Sequence, residues 1–413
     1  MNTRIVIVGG GTGGLMLAAR LRRDFPDAHL LLVEPSDTHW YQPAYTLVGA
    51  GSYEMAKTRR PMASVMPKGV QWIQSAVEAL DLEHKSLVLK NKQRLSYDFL
   101  VLSPGVVNRP DWLPGLPESL DLGIAVSNYI NPEKTWQALQ TFQGGQALFT
   151  QANTPIKCGG GPQKIMYLAD EYWRKTQVRN RTEIVFPIPG SVVFGVSPFK
   201  ETMEKIVAEK HIHTRFLHVL DSIDPVRKEA TFRVPDTYVV ENSNVRESQT
   251  GQKVVMPFDF LHLAPPQSPP DFIMQSPVAI PEGPGKGWAE VDIHSLQHVR
   301  FPEVFVIGDI AHLPTAKTGA AIRKQVPVVA AHLASLARKG VLSEKMYSGY
   351  SSCPLIAGYG KMVLAEFKYG NVRDSDPFLS SLFDTSKASW PMWLLKKYGL
   401  PWLYWNRMLK GYL

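Results

Sequence analysis

Cysteine is nearly absent: Cys158 and Cys353 are the only two in 413 residues. Two are too few for a secreted disulfide framework, and neither has the Cys/His spacing of a zinc site, so no metal is expected. Acidic residues are in the minority, 37 Asp and Glu against 45 Lys and Arg. The net charge of +8 favours anionic lipid, anionic substrates or nucleic acid. Charged side chains of both signs reach only 20% while aromatics reach 10%, a composition that suits an apolar docking face. No run of 18 apolar residues occurs, so no bilayer-spanning helix is expected. The opening Arg4-Ile-Val-Ile-Val-Gly9 enters a folded motif at once, which argues against a signal or transit peptide. Repeats and low-complexity tracts are also missing. What is present is hydrophobic mass, 44% of the chain, enough for two or three full cores; disorder and a miniprotein are excluded.

Ile5-Val-Ile-Val8 is a β-branched apolar run of the kind buried on both faces of a parallel sheet. Gly9-Gly-Gly11-Thr-Gly-Gly14 follows, and a second strand, Leu30–Val33, ends in Glu34. That is the strand, glycine turn, helix and ribose-binding acid of a dinucleotide site. Far along the chain, Val304-Phe-Val-Ile-Gly308-Asp309 reads as another buried strand ending in Gly-Asp, where the carboxylate suits a flavin polyol. The segment from Thr318 to Lys339 reads as a helix whose positive end faces the flavin pyrimidine. Such units at both ends of a chain, with other material between, are arranged as in flavoproteins with two dinucleotide folds.

The second glycine turn, Cys158-Gly-Gly-Gly161-Pro-Gln-Lys164, lies between a strand at Gln146–Thr150 and a helix from Pro162 to Lys175. The next strand, near Ile184–Ile188, is apolar and has no closing acid, so NADH is a poor candidate as reductant. A thiol before a helix N-terminus, between Lys157 and Lys164, is expected to have a depressed pKa; the bland alternative is a cysteine that fills space. Cys353 sits in a turn-like Ser-Ser-Cys-Pro segment, and the spacing of 195 residues leaves open whether the two sulfurs meet.

From Trp390 to Leu413 there are four tryptophans, three tyrosines, four basic residues and no acid. Pro391, Gly399 and Pro401 divide this stretch into two short helices with the composition of a monotopic membrane anchor. A dimer interface competes with that reading, and a nucleic-acid surface is the weakest option. Seven prolines between Ala264 and Gly287 make a stiff connector. His39-Trp-Tyr-Gln42 either overlies the nucleotide or is a packed aromatic turn, and the histidines are taken as structural.

Several segments together resemble the sulfide:quinone oxidoreductase family, of the type resembling the mitochondrial enzyme: Gly9–Gly14, Val33–Ser36, Tyr41–Pro43, Leu47–Gly51, Lys157-Cys-Gly-Gly-Gly-Pro-Gln-Lys-Ile-Met-Tyr167, Pro265–Asp271, Gly308-Asp309, Leu313–Thr318, Ser352-Cys-Pro354, Leu364–Phe367 and Leu403–Asn406. The resemblance implies an α/β fold with two Rossmann-like domains, similar to glutathione reductase, and a membrane-associating helical module. In domain terms, that is a FAD-binding domain at 1–108 plus 285–345, a second Rossmann-like domain with the connector at 109–284, and the module at 346–413. It implies FAD held by Gly9, Gly11, Gly14, Glu34, Gln42, the backbone of Val77, Asp309, Lys317, Thr318 and Gly319. It makes Cys158 and Cys353 a redox pair, with Lys164 beside them, that passes electrons from hydrogen sulfide through FAD to membrane quinone. The sulfur then leaves on a small acceptor such as a thiol, sulfite or sulfide. Some members of the broader family have a third cysteine that relays sulfur; this sequence has none, which puts long polysulfide growth in doubt. The implied location is peripheral, on the cytoplasmic face of a cell membrane, without nucleic acid. Phe367 to Tyr369 and the C-terminal aromatics are candidate quinone contacts; Arg323 and Lys324 have no assigned role. The alternatives are a type II NADH:quinone oxidoreductase and a flavin redox sensor or docking protein that does not turn over.

Overall fold

The computed structural model describes residues 3–241 and 243–413. Arg4–Val8 forms the middle of a five-stranded parallel sheet in the order Val304–Val306, Phe99–Leu102, Arg4–Val8, His29–Val33, Gln71–Ile73. Strands some 300 residues apart thus share one sheet, as the two flanking dinucleotide-type fragments required. Ile5, Val6 and Ile7 are fully buried, which explains the unbroken apolar run: both faces are covered. Helices Thr12–Asp24 and Gly319–Lys339 pack on each other over one face. An antiparallel sheet of Val77–Asp81, Ser86–Leu89 and Arg94–Ser96 covers the other.

A second five-stranded parallel sheet runs Ala125–Val126, Phe260–Ala264, Gly145–Gln151, Thr182–Pro187, His213–Arg215. Helix Gly161–Lys175 packs on it through Trp173, whose ring lies 4.5 Å from Phe142 and 5.3 Å from Phe260. The proline-rich connector contains only a two-residue strand, Gln267–Ser268, which pairs with Val107–Asn108, and the short helix Asp271–Met274.

The C-terminal part differs from expectation in two ways. Cys353 is not in a turn: Ser351–Gly358 and Lys361–Lys368 form an antiparallel pair packed against helix Gly161–Lys175. Pro354 is tolerated because Ser351–Gly358 is the edge strand of its sheet, where a missing N–H costs no ladder bond. Residues 390–408 are not two separated helices but one run of α- and π-helical turns, Trp390–Leu394, Leu395–Gly399, Leu400–Leu403 and Tyr404–Met408. Gly399 keeps helical angles of −65° and −51°, so it does not break the run. Met392, Trp393, Lys396 and Tyr404 face the interior, while Trp390, Tyr398 and Trp402 are exposed. The segment is therefore a wedge with one buried side rather than a helix pair lying free on the surface. Among the described residues, no helix is long and apolar enough to cross a membrane.

Candidate functional site

The first glycine turn is closed by backbone and by Glu34. Gly9 N–H donates to Val33 O at 2.8 Å, and the Glu34 carboxylate accepts from Gly10 N at 2.7 Å and Ser36 N at 2.8 Å. A Cβ at Gly14 would lie 1.9 Å from Gly9 O, so helix and turn touch backbone to backbone. At Gly11 the added carbon would meet nothing within 4 Å. The turn thus presents an open, side-chain-free face at the N-terminus of helix Thr12–Asp24, the cradle a pyrophosphate needs. Val77 is buried at the start of its strand. Gln42 Oε1 accepts from Lys157 Nζ at 2.6 Å, which ties the first domain to the second turn.

At the other end of the site, the partly buried Asp309 lies near Lys157 and Lys317. Burial pushes its carboxyl up, and the two ammonium groups oppose that shift. Lys317 Nζ donates to the carbonyls of Asp309 and Ala311 at 2.6 and 3.0 Å and sits 4.0 Å over the Trp288 ring. Burial brings its pKa down to about 8. Thr318 caps helix Gly319–Lys339 by accepting from Ala321 N at 3.2 Å. Gly308, Asp309 and the 315–318 turn line a narrow cavity with Gln325 at this helix start.

The two cysteines meet. Cys158 Sγ and Cys353 Sγ are 3.9 Å apart, and Lys164 Nζ donates to Cys158 Sγ at 2.8 Å. Cys158 N–H donates to Lys317 O at 2.8 Å, which fixes the sulfur turn to the turn that precedes the long helix. Cys158 has φ of +57°, a left-handed conformation costing a non-glycine residue about 1–2 kcal/mol. A Cβ at Gly160 would fall 2.9 Å from Cys353 Sγ and 2.6 Å from Leu355, so glycine there is what admits the sulfur-bearing strand. The hydrogen bond from Cys353 holds the Cys158 thiol well below its ordinary range; burial opposes this and Lys164 assists. The same bond and burial push Cys353 well above. Both shifts favour Cys158 over Cys353 as the sulfur that carries charge when the pair loses a proton. Burial works against the charge on Lys164, but the two sulfurs outweigh it and raise its pKa.

Lys396 lies beside the two sulfurs, a placement that sequence reasoning missed. It is 4% exposed, and its Nζ donates to Pro43 O at 2.8 Å. It is close enough to Lys164 and both sulfurs to feel their charges, and burial brings its pKa down to about 8. Nothing in the basic, aromatic C-terminal composition separated this lysine from its half-buried neighbour Lys397. Tyr129 is another such residue, its hydroxyl donating to Cys158 O at 3.1 Å. Of the candidate quinone contacts, Phe367 is buried against Phe194, and the Tyr369 hydroxyl donates to Ile293 O at 2.7 Å. Arg323 donates to the Tyr350 hydroxyl at 2.9 Å, and that hydroxyl bonds Glu366. The strand Thr182–Pro187 ends in buried Phe186 and Pro187, with no carboxylate at the position where a nicotinamide dinucleotide would need one.

A family model described as pyridine nucleotide-disulphide oxidoreductase matches residues 3–161. The mitochondrial sulfide:quinone oxidoreductase of Mus musculus is 39% identical over 99% of this chain and 86% of its own length. Among solved structures, a chain in the mitochondrial ATP synthase of Tetrahymena thermophila superposes with a TM-score of 0.82 at 18% identity, covering 99% of this chain and 96% of that one. The sulfide:quinone oxidoreductase of Aquifex aeolicus does so with a TM-score of 0.76 at 17% identity, covering 98% and 92%. At those identities the two structures speak for the fold alone. The near full-length likeness to the mouse enzyme shows more: the chain belongs to the sulfide:quinone oxidoreductases, a family of flavoprotein oxidoreductases.

Proposed function

We propose that this protein oxidises hydrogen sulfide by two electrons at a Cys158/Cys353 redox pair, with FAD and membrane quinone as the onward route for the electrons. The observation that carries the reading is the meeting of two sulfurs 195 residues apart, 3.9 Å from each other, with an ammonium group 2.8 Å from one of them. The residues present fit FAD: the open face at Gly11 beside Gly9 and Gly14 suits the pyrophosphate, Glu34 the ribose, Asp309 the polyol, and Lys317, Thr318 and Gly319 the ring. Gln42, bonded to Lys157, and the backbone of Val77 complete the proposed set. FAD bound there supplies the two-electron couple that links re-formation of the disulfide to quinone.

The chain's own residues do the sulfur chemistry. In the oxidised pair, hydrosulfide attacks one sulfur; a new S–S bond forms as the Cys158–Cys353 bond breaks, giving one persulfide and one thiolate. Cys158 suits the thiolate, because Lys164 and the helix N-terminus stabilise its charge. The observed 3.9 Å is nearly twice the ~2.05 Å of an S–S bond, so closure needs a small approach of the strands or one inserted sulfur atom. A small nucleophilic acceptor then takes the outer sulfur of the persulfide and leaves the second thiolate. We place the protein on a membrane surface through Trp390, Tyr398 and Trp402, which point outward. Anaerobic sulfide titration tests the core of the reading: the wild type should bleach its flavin, and Cys158→Ser and Cys353→Ser should each lose that response. Bleaching at the wild-type rate in either variant would overturn the redox pair.

A further inference from the structure

The last turn of the C-terminal segment reaches the first glycine turn. Tyr404 is 3% exposed, and its hydroxyl lies 2.8 Å from Thr12 Oγ1 and 2.6 Å from His39 Nε2. His39, equally buried, has Nδ1 at 3.0 Å from Gly10 O. The directions of these bonds are fixed by what each atom can do. A carbonyl only accepts, so His39 Nδ1 carries the hydrogen; burial keeps the ring neutral, so Nε2 accepts. The Tyr404 hydroxyl therefore donates to His39 and accepts from Thr12. The result is a closed relay from Thr12 through Tyr404 and His39 back to Gly10, spanning two residues within the glycine turn itself. The rest of the tail runs beside the same helix: Arg23 Nη1 donates to Gly411 O at 2.6 Å, and the guanidinium of Arg23 stands 4.5 Å over the Tyr412 ring. Helix Thr12–Asp24 is thus gripped near both ends by residues some 390 positions away. The ring of Tyr404 packs 4.6 Å from Tyr41, one residue before Gln42.

We propose that the C-terminal tail is a latch on the flavin site, with Tyr404 as the positioning residue that holds the Gly9–Gly14 turn in its pyrophosphate-binding shape. Without the hydroxyl, the buried His39 ring and the half-buried Thr12 hydroxyl lose their partner, and the turn loses two of the bonds that restrain it while nothing in the cradle itself is removed. Because Trp402 lies two residues before Tyr404 and faces solvent, whatever holds the exposed side of the segment in place also holds the latch. The inference rests on the FAD reading above.

The test uses the full-length flavin-loaded protein and reads flavin release by the recovery of free-flavin fluorescence after dilution. Tyr404→Phe and Thr12→Val should each release flavin about tenfold faster. The double variant should be no faster than Tyr404→Phe, because both changes break the same bond. The melting-temperature gain conferred by FAD should shrink in both variants, so that the loaded forms lose more melting temperature than the apoproteins, which bear only the cost of the unpaired His39 and Thr12 groups. Release at the wild-type rate from both variants would overturn the latch, as would equal losses of melting temperature in the apo and loaded forms. Failure of the wild type to take up FAD at all would instead defeat the functional reading on which the latch depends.

Discussion

The charge on Cys158 is set by particular neighbours, and removing them should be measurable. Lys164→Met takes away the ammonium 2.8 Å from the sulfur and should raise the thiolate midpoint, followed by its ultraviolet absorbance. Sulfide-dependent flavin reduction at pH 7 should slow in proportion to the thiolate lost. Lys396 gives a pH signature of opposite origin. Its pKa falls from an ordinary 10.5 to about 8 on folding, so between those values the unfolded chain binds more protons and stability rises with pH. Urea unfolding at pH 7 and pH 10.5 should show a gain on the order of 3 kcal/mol from this group, and Lys396→Met should flatten that rise. The same variant should also slow sulfide oxidation, because it removes a positive charge facing the sulfurs. Cys158 and Lys164 were legible in the sequence because their local chemistry is unusual: a thiol within a glycine turn that opens a helix. Lys396 was not, since its role depends on which side of a helical run is buried, and only tertiary packing decides that.

The elements were readable wherever the pattern was continuous. Ile5–Val8, Leu30–Val33 and the helix from Thr318 announced themselves as buried strands and a long helix because β-branched runs and alanine-rich stretches have few other fates. Ser351–Gly358 failed to do so: Pro354 beside two serines signals a turn, and only its place at a sheet edge makes it a strand. The same limit hid the π-helical turns after Trp390, where Pro and Gly read as breaks. Helix Gly161–Lys175, which carries the sulfur turn at its start, is held near its far end by Asp170. That carboxylate is fully buried and receives Arg174, Arg179 and Lys210 at 2.8–3.0 Å. Asp170→Ala would leave three cations around an empty site and should cost roughly 3–5 kcal/mol, read as a lower urea midpoint. Flavin uptake by the remaining folded protein should stay near wild type, since Asp170 is on the opposite end of the helix from Cys158.

At the scale of the whole molecule, two sheets, a hairpin and a helical wedge converge on one seam, and the outer side of the wedge remains apolar. Trp390, Tyr398 and Trp402 are about 60% exposed, and Phe378 and Leu382 on the neighbouring short helix are 71% and 58% exposed. Removing the whole segment would also remove Lys396 and Tyr404, so it would not isolate this surface. Trp390→Ser with Trp402→Ser should instead weaken flotation with anionic liposomes about tenfold or more, and flavin content should be unchanged in solution. Unchanged flotation would remove the membrane-surface reading and leave a protein partner as the occupant. The position of Cys353 late in the chain also bears on how the centre is made. A ribosome working at about 5–20 residues per second exposes the first thiol well before its partner is synthesised. The nascent protein therefore carries a lone cysteine, and the two sulfurs of the proposed pair can meet only once the edge strand closes over Gly160. A polypeptide released before that point would lack Cys353, Lys396 and Tyr404 together, so the sulfur pair and the contacts of the tail with the first glycine turn are gained or lost as one.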